Sequence, residues 1–177
     1  MKLQMVTRDE LLVIMPGSEN RVDKFLPFLN QYAERFQVDT TLRFAHFIAQ
    51  VAHESGSLRY VRELGSGMKY EGRKDLGNTK PGDGPRYKGR GFLQITGRKN
   101  YQIVGEALGL NLIDNPQLLE QPEWAVASAF WFWDRHKLNT WADKDDVMTI
   151  TKRINGGTNG LADRKKFLLA AKKIFKV

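Results

Sequence analysis

The chain contains no cysteine. Disulfides, thiolate nucleophiles and cysteine-built zinc sites are therefore excluded. Histidine is scarce: His46, His53 and His136 are all there is, too few to favour a three-histidine metal site. Nowhere do about 18 apolar residues run together, so no membrane-spanning helix is expected. The opening Met1-Lys2-Leu3-Gln4-Met5-Val6 lacks the apolar core and small-residue cleavage site of a signal peptide. The expectation is a soluble chain made in the cytoplasm, delivered by another agent if it works elsewhere. No internal repeat, low-complexity tract or linker appears, which points to one domain over residues 1–177.

What is present can build a core. Hydrophobic residues make up 41% of 177, with ten Phe, four Trp and five Tyr. Lys plus Arg outnumber Asp plus Glu by 28 to 20, giving a net charge of +8. Such a surplus favours a polyanionic partner: nucleic acid, an anionic membrane or a bacterial envelope. The basic residues are dispersed and no DNA-binding motif is seen, so nucleic acid ranks low.

The pattern is mainly helical. Thr7-Arg8-Asp9-Glu10 reads as a capping box before Leu11 to Met15, with a stop at Pro16-Gly17. A second helix starts near Ser18 to Asn20, and Pro27 kinks it or marks its first turn. Asp39-Thr40-Thr41 caps a third, apolar round most of its circumference and hence central. Residues 64–91 hold eight Gly and two Pro, where no helix fits. An irregular or β-hairpin excursion is expected there. Helices resume near Arg98 to Leu108. Asn115-Pro116 is a turn, Pro122 opens a helix to His136, Asp145-Asp146 opens one ending at Asn155-Gly156-Gly157, and Asp163 to Phe175 closes the chain.

Ala52-His53-Glu54-Ser55-Gly56 places a carboxyl at the break of the apolar helix, one turn after Gln50. Half-buried there, Glu54 would have its charged form disfavoured, which suits a general acid. Glu63 follows Arg59, Tyr60 and Arg62, whose cations would keep it ionised as a base requires; standing alone, it would read as a surface ion pair. The loop between the two glutamates leaves room for a water, as inversion at a sugar carbon needs. Gly89-Arg90-Gly91 lacks the rest of a phosphate-binding loop, and Ser57 stands where a zinc-protease motif needs histidine. His46 and His53 share one helix face and read as hydrogen-bonded core or supporting histidines. Trp124, Phe130, Trp131, Phe132 and Trp133 offer a sugar-stacking platform, with core packing the stronger reading. Lys165-Lys166 and Lys172-Lys173 read as the solvated face of the last helix.

Taken in order, Phe47 through Gly56, Arg62-Glu63, Tyr87 through Thr96, Asn100-Tyr101, Ile154 through Gly157 and Asp163-Arg164 resemble glycoside hydrolase family 19, which contains plant-type chitinases and phage endolysins. The short endolysin branch is the better match. The resemblance implies a lysozyme-like fold of two mostly helical lobes, a metal-free and cofactor-free inverting mechanism, Glu54 as acid and Glu63 as base. It implies Thr96 as the residue holding the attacking water. It further implies His53, Tyr87, Gln94, Asn100, Tyr101, Asn155 and Arg164 as substrate-binding, with Tyr87 lining the cleft and Arg164 linked to the second carboxylate.

Two departures stand out. The segment between Glu63 and Tyr87 is short for the family, and Lys99 occupies a position where the family carries an aromatic residue. Both favour peptidoglycan over extended chitin chains. The expected function is hydrolysis of β-1,4 bonds in bacterial cell-wall glycan, by a monomer without a separate wall-binding domain. The expected partners are glycan strands and the anionic envelope, with no nucleic acid and no stable membrane insertion. Release to the wall through a holin-like pore follows from the endolysin resemblance. Chitinase action, a lytic transglycosylase, and a non-catalytic wall-binding module are the alternatives.

Overall fold

The computed structural model describes residues 2–177. The chain forms two compact units, one from Met1–Arg59 with Phe130–Val177, the other from Tyr60–Ala129.

The first unit is helical. Helix α1 (Arg8–Ile14) begins with the expected capping box: the Thr7 side chain accepts from the Glu10 N–H while the Glu10 carboxylate accepts from the Thr7 N–H. Helix α2 (Val22–Arg35) follows, with Pro27 in its interior rather than its first turn. Thr40 caps α3 (Thr41–Glu54) by accepting from the Arg43 N–H. Every side chain from Phe44 to Ala52 is buried, as a helix apolar on nearly all sides requires. Later in the chain come α7 (Leu138–Asp143), α8 (Val147–Asn155) and α9 (Leu161–Phe175). Helix α3 packs most extensively on α9 and also meets α7. Phe47 stacks on Phe130 with ring centroids 4.0 Å apart, and Trp133 meets Phe47 edge-on at 5.4 Å.

The second unit is held less by helices than by turns. Short 3-10 turns at Met68–Tyr70 and Lys74–Leu76 precede a one-turn α4 (Asp83–Arg86). The glycine-rich excursion is thus the irregular alternative rather than a hairpin, although α4 corrects the expectation that no helix fits there. Single-residue antiparallel bridges link Arg62 to Arg90 and Arg90 to Ile95. Helix α5 spans Arg98–Leu108 as expected, and a 3-10 turn at Pro116–Glu120 follows. Helix α6 (Pro122–Arg135) starts in this unit and ends in the first. Its aromatics divide: Phe130 and Trp133 are core, while Trp124, Trp131 and Phe132 are half-buried. Among the described residues no helix is long and apolar enough to cross a membrane.

Candidate active site

Glu54 is the last residue of α3 and remains partly exposed. Its Oε1 accepts a 2.6 Å hydrogen bond from Arg164 Nη2. Arg164 lies in the first turns of α9 and is 1% exposed. Its Nη1 donates to Gln50 Oε1 at 2.6 Å, and its Nε to the Asn159 carbonyl at 3.1 Å. Gln50 is wholly buried and donates onward to Thr151 Oγ1 at 3.3 Å. A buried guanidinium with three acceptors is a fixed object, and the carboxylate is oriented by it. Among the described residues no protein donor reaches Glu54 Oε2.

Two sequence expectations are corrected here. The apolar surroundings expected of Glu54 are interrupted by a cation, because helical spacing puts Gln50 and Glu54 on one face and Arg164 fits between their oxygens. The same contact overturns the link of Arg164 to the second carboxylate: its three acceptors are Glu54, Gln50 and Asn159.

His53 lies beside Glu54 with Nδ1 at 2.7 Å from Asp163 Oδ2. The carboxylate only accepts, so Nδ1 carries the proton. Gly160 packs on the ring: a Cβ there would lie 2.2 Å from His53 Cε1, and φ is +73°. Glycine is thus needed for both contact and conformation. Asn155 is exposed at the end of α8, and its Oδ1 accepts from the Asn159 N–H at 3.3 Å.

Glu63 is held differently. Its backbone N–H donates to the Gly89 carbonyl at 2.9 Å, and the Gly89 N–H donates to Glu63 Oε2 at 3.1 Å. The Tyr70 hydroxyl donates to the same oxygen at 2.9 Å. Burial, then the bond to Glu63, raises the Tyr70 phenol above its ordinary value, so it remains a donor at neutral pH. Two donors therefore converge on Oε2, and among the described residues no protein donor reaches Oε1. Gly89 admits no side chain without disturbance: a Cβ would stand 2.3 Å from Gln94 Oε1 and 2.7 Å from Glu63 Oε2. Gln94 sits at φ +60° and donates to the Gly91 carbonyl at 3.1 Å. Thr96 is half-buried, and its carbonyl accepts from Asn100 Nδ2 at 2.8 Å.

Here too the sequence reading is corrected. The arginines expected to face Glu63 do not bond it: Arg62 pairs with Glu120, and the Arg59 N–H caps the turn at Ser55. Tyr87 and Tyr101 are wholly buried, so Tyr87 does not present its ring to a cleft as expected. Tyr87 donates to the Ile113 carbonyl at 2.8 Å, and Tyr101 to the Lys88 carbonyl at 2.5 Å while accepting from Arg90. Burial pushes the Tyr101 phenol well above its ordinary value. Both rings are core struts whose hydroxyls satisfy loop carbonyls. Lys172 is not simply solvated, since it pairs with Asp145. Sequence reasoning missed Tyr70, Gly89 and the part of Gln50 in holding Arg164. The paired glycines of Gly89-Arg90-Gly91 were the one local signal of a close approach. Among the described residues no group of three or more acidic or histidine side chains is placed to hold a metal.

Comparison with known proteins identifies the family of the chain. The family described as class I chitinase matches residues 37–155. A glycosyl hydrolase family 19 domain-containing protein of Haemophilus influenzae is 32% identical, over 71% of this chain and 76% of its own length. An endochitinase of Arabidopsis thaliana is 36% identical over 64% of this chain, and the aligned part is 39% of that protein. The chain thus spans about two fifths of that plant relative. Among solved structures, chitinase C of Streptomyces griseus superposes with a TM-score of 0.79 at 22% identity, covering 100% of this chain and 95% of that one. A class IV chitinase of Zea mays superposes with a TM-score of 0.65 at 23% identity, covering 97% and 82%. These structures share the helical, lysozyme-like fold. With the family match covering most of the sequence, the chain belongs to glycoside hydrolase family 19 and is a glycoside hydrolase.

Proposed function

We propose that this enzyme cleaves β-1,4 bonds of bacterial peptidoglycan with inversion, Glu54 acting as general acid and Glu63 as general base. The observation carrying the proposal is that each carboxylate is anchored through one oxygen and leaves the other without a protein donor. A group that must exchange a proton with substrate needs both: an oriented carboxyl plane and an unengaged oxygen. Glu54 would deliver its proton from Oε2, the oxygen away from Arg164. Glu63 would take a proton from water through Oε1, with Thr96 helping to hold that water. His53, Gln94, Asn100 and Asn155 would support the substrate. Attack and departure on opposite faces give the inverted anomer. The net charge of +8 favours the anionic wall over neutral chitin, and action at the envelope by a monomer is part of this proposal. A second reading, hydrolysis of chitin, is favoured by the relatives, which are named chitinases.

The test is mass spectrometry of soluble products from purified Gram-negative sacculi and from chitin oligomers, with wild type, Glu54→Gln and Glu63→Gln. Reducing muropeptides from wild type alone are expected. Products from chitin only would give the second reading, anhydro ends would indicate transglycosylation, and sacculus binding without products would leave a binding module. The roles separate on a dinitrophenyl glycoside, whose leaving group needs no proton. Glu54→Gln should regain most of its roughly 10²–10⁴-fold loss there, whereas Glu63→Gln should not.

A further inference from the structure

The second unit carries a pocket of about 660 Å³ lined by Lys80, Asp83, Arg86, Arg90 and Arg98, with Pro81, Pro85 and Pro116 among its apolar walls. Its size is that of a small-molecule site. Three guanidinium groups meet there, and each is pinned by internal acceptors. Arg86 donates to the Ile113 and Asp114 carbonyls and to the Tyr87 hydroxyl. Arg90, 9% exposed, donates to Glu120, to the Arg86 carbonyl and to Tyr101. Arg98 donates through Nε and Nη2 to Asp83.

Among the described residues each arginine nevertheless keeps one amino group without a hydrogen bond: Nη1 of Arg86, Nη2 of Arg90 and Nη1 of Arg98. None of these is a sealed orphan, because the buried side-chain polar atom lacking a partner among the described residues is His46 Nδ1. Among the described residues the Lys80 ammonium also makes no hydrogen bond. In charge, Arg98 is balanced by Asp83 and Arg90 by Glu120. Arg86 meets only neutral oxygens, and Lys80 shares the field of Asp83 with Arg98, so four cations face the two carboxylates of Asp83 and Glu120 and the pocket keeps a positive surplus. Planar forks held in advance lose little freedom on meeting an oxyanion.

We propose that this pocket binds an oxyanion, carboxylate or phosphate, carried by the wall polymer. The inference rests on the peptidoglycan reading and deepens it: chitin carries no such group, whereas peptide-bearing glycan does. The pocket would select substrate by binding, leaving the chemical step alone. Arg90 is the chain neighbour of Gly89, whose N–H holds Glu63, so the pocket wall and the Glu63 cradle belong to one short segment.

The probes are the stem peptide released from sacculi by amidase and inorganic phosphate, titrated calorimetrically into wild type, Lys80→Glu and Arg86→Gln. Lys80 is exposed and bonds nothing through its side chain, so Lys80→Glu should melt with wild type and keep the test valid if Arg86→Gln loosens the fold. At least one probe should bind wild type and weaken tenfold or more in Lys80→Glu; the tighter of the two names the source. In turnover, Lys80→Glu should raise KM on intact sacculi several-fold with kcat unchanged, and should not alter KM on peptide-stripped strands. Binding of neither probe, or binding indifferent to Lys80→Glu, would overturn the pocket. Binding needs no catalysis, so an enzyme inactive on sacculi that still bound the probes would count against the proposed function and not against the pocket.

Discussion

Glu54 ends a buried helix and is gripped by an arginine 110 residues away, whereas Glu63 lies among turns and is gripped by a phenol 7 residues on and a backbone N–H 26 residues on. The first arrangement depends on the packing of α3 against α9, because Gln50, Thr151 and Arg164 form one buried polar chain. The second depends on a glycine that lets main chain approach a carboxylate. One site is built from side chains far apart in sequence, the other from local backbone. Damage to the first should therefore appear in stability as well as activity, and damage to the second in activity alone.

Arg164→Ala should give the largest combined effect. It strips Gln50 Oε1 and Glu54 Oε1 of their donor inside a packed core. Removing one partner of a buried ionic network costs about 3 kcal/mol or more, which for a chain of this size lowers Tm by several degrees. Activity should fall at least as far as in Glu54→Gln, since the carboxyl loses its orientation. A melting curve and a sacculus assay on the same preparation check both; an unchanged Tm would remove the distinction between the two settings.

Gly89→Ala is the complementary case. The added methyl collides with the ends of two side chains, Gln94 Oε1 and Glu63 Oε2, rather than with backbone. Those ends can move, so the fold should survive with Tm within a degree or two. The carboxylate cannot stay where Tyr70 and Gly89 hold it, and misplacement of that kind costs about 10²-fold in rate. A variant that melts early and retains its rate would show that Gly89 serves the fold and not the site.

This contrast also explains what could be read from the sequence. Helix α5 was legible because its apolar spacing is regular and Gly109 stops it at φ +71°. The Thr7 capping box and the Thr40 cap were legible for the same reason: they are local. Helix α7 was missed because it starts from Lys137 at φ +53°, with no capping side chain to announce it. Glu54 and Glu63 could be singled out because a carboxyl at a helix break and its companion are local features. Their holders were not, since a tyrosine's role depends on which carbonyl lies over its hydroxyl. Tyr87 and Tyr101 find Ile113 and Lys88 and become core, while Tyr70, unremarked in the sequence, finds Glu63.

Tyr70→Phe sharpens the second setting further. It deletes one of two donors to Glu63 Oε2 and leaves the Gly89 N–H in place. A hydrogen bond to a charged group contributes about 1.5–3 kcal/mol, part of which the remaining donor retains. The expected loss is about tenfold in kcat, with KM on sacculi little changed. A loss as large as that of Glu63→Gln would mean the phenol itself takes part in the chemistry.

Acid should separate the two units by the smallest of these effects. All three histidines lie in the unit of Met1–Arg59 and Phe130–Val177. Burial holds the His46 ring below its ordinary value despite Asp145, and burial with Arg135 and Arg153 does the same for His136. Both are thus neutral in the native state where the unfolded chain, titrating near 6.5, already binds protons. Their contribution to stability is present above about pH 6.5 and declines as pH falls below it. Residues 60–129 have no such group. There the Arg98 hydrogen bonds hold Asp83 below the usual carboxylate range despite its burial, so its contribution is complete above about pH 4 and lost only as pH falls through its lowered value. Hydrogen exchange followed from pH 7 to pH 5, corrected for intrinsic rates, should show α3 losing protection while α5 keeps it. Parallel loss in both helices would mean that the units unfold as one, and that the two glutamates share a single stability after all.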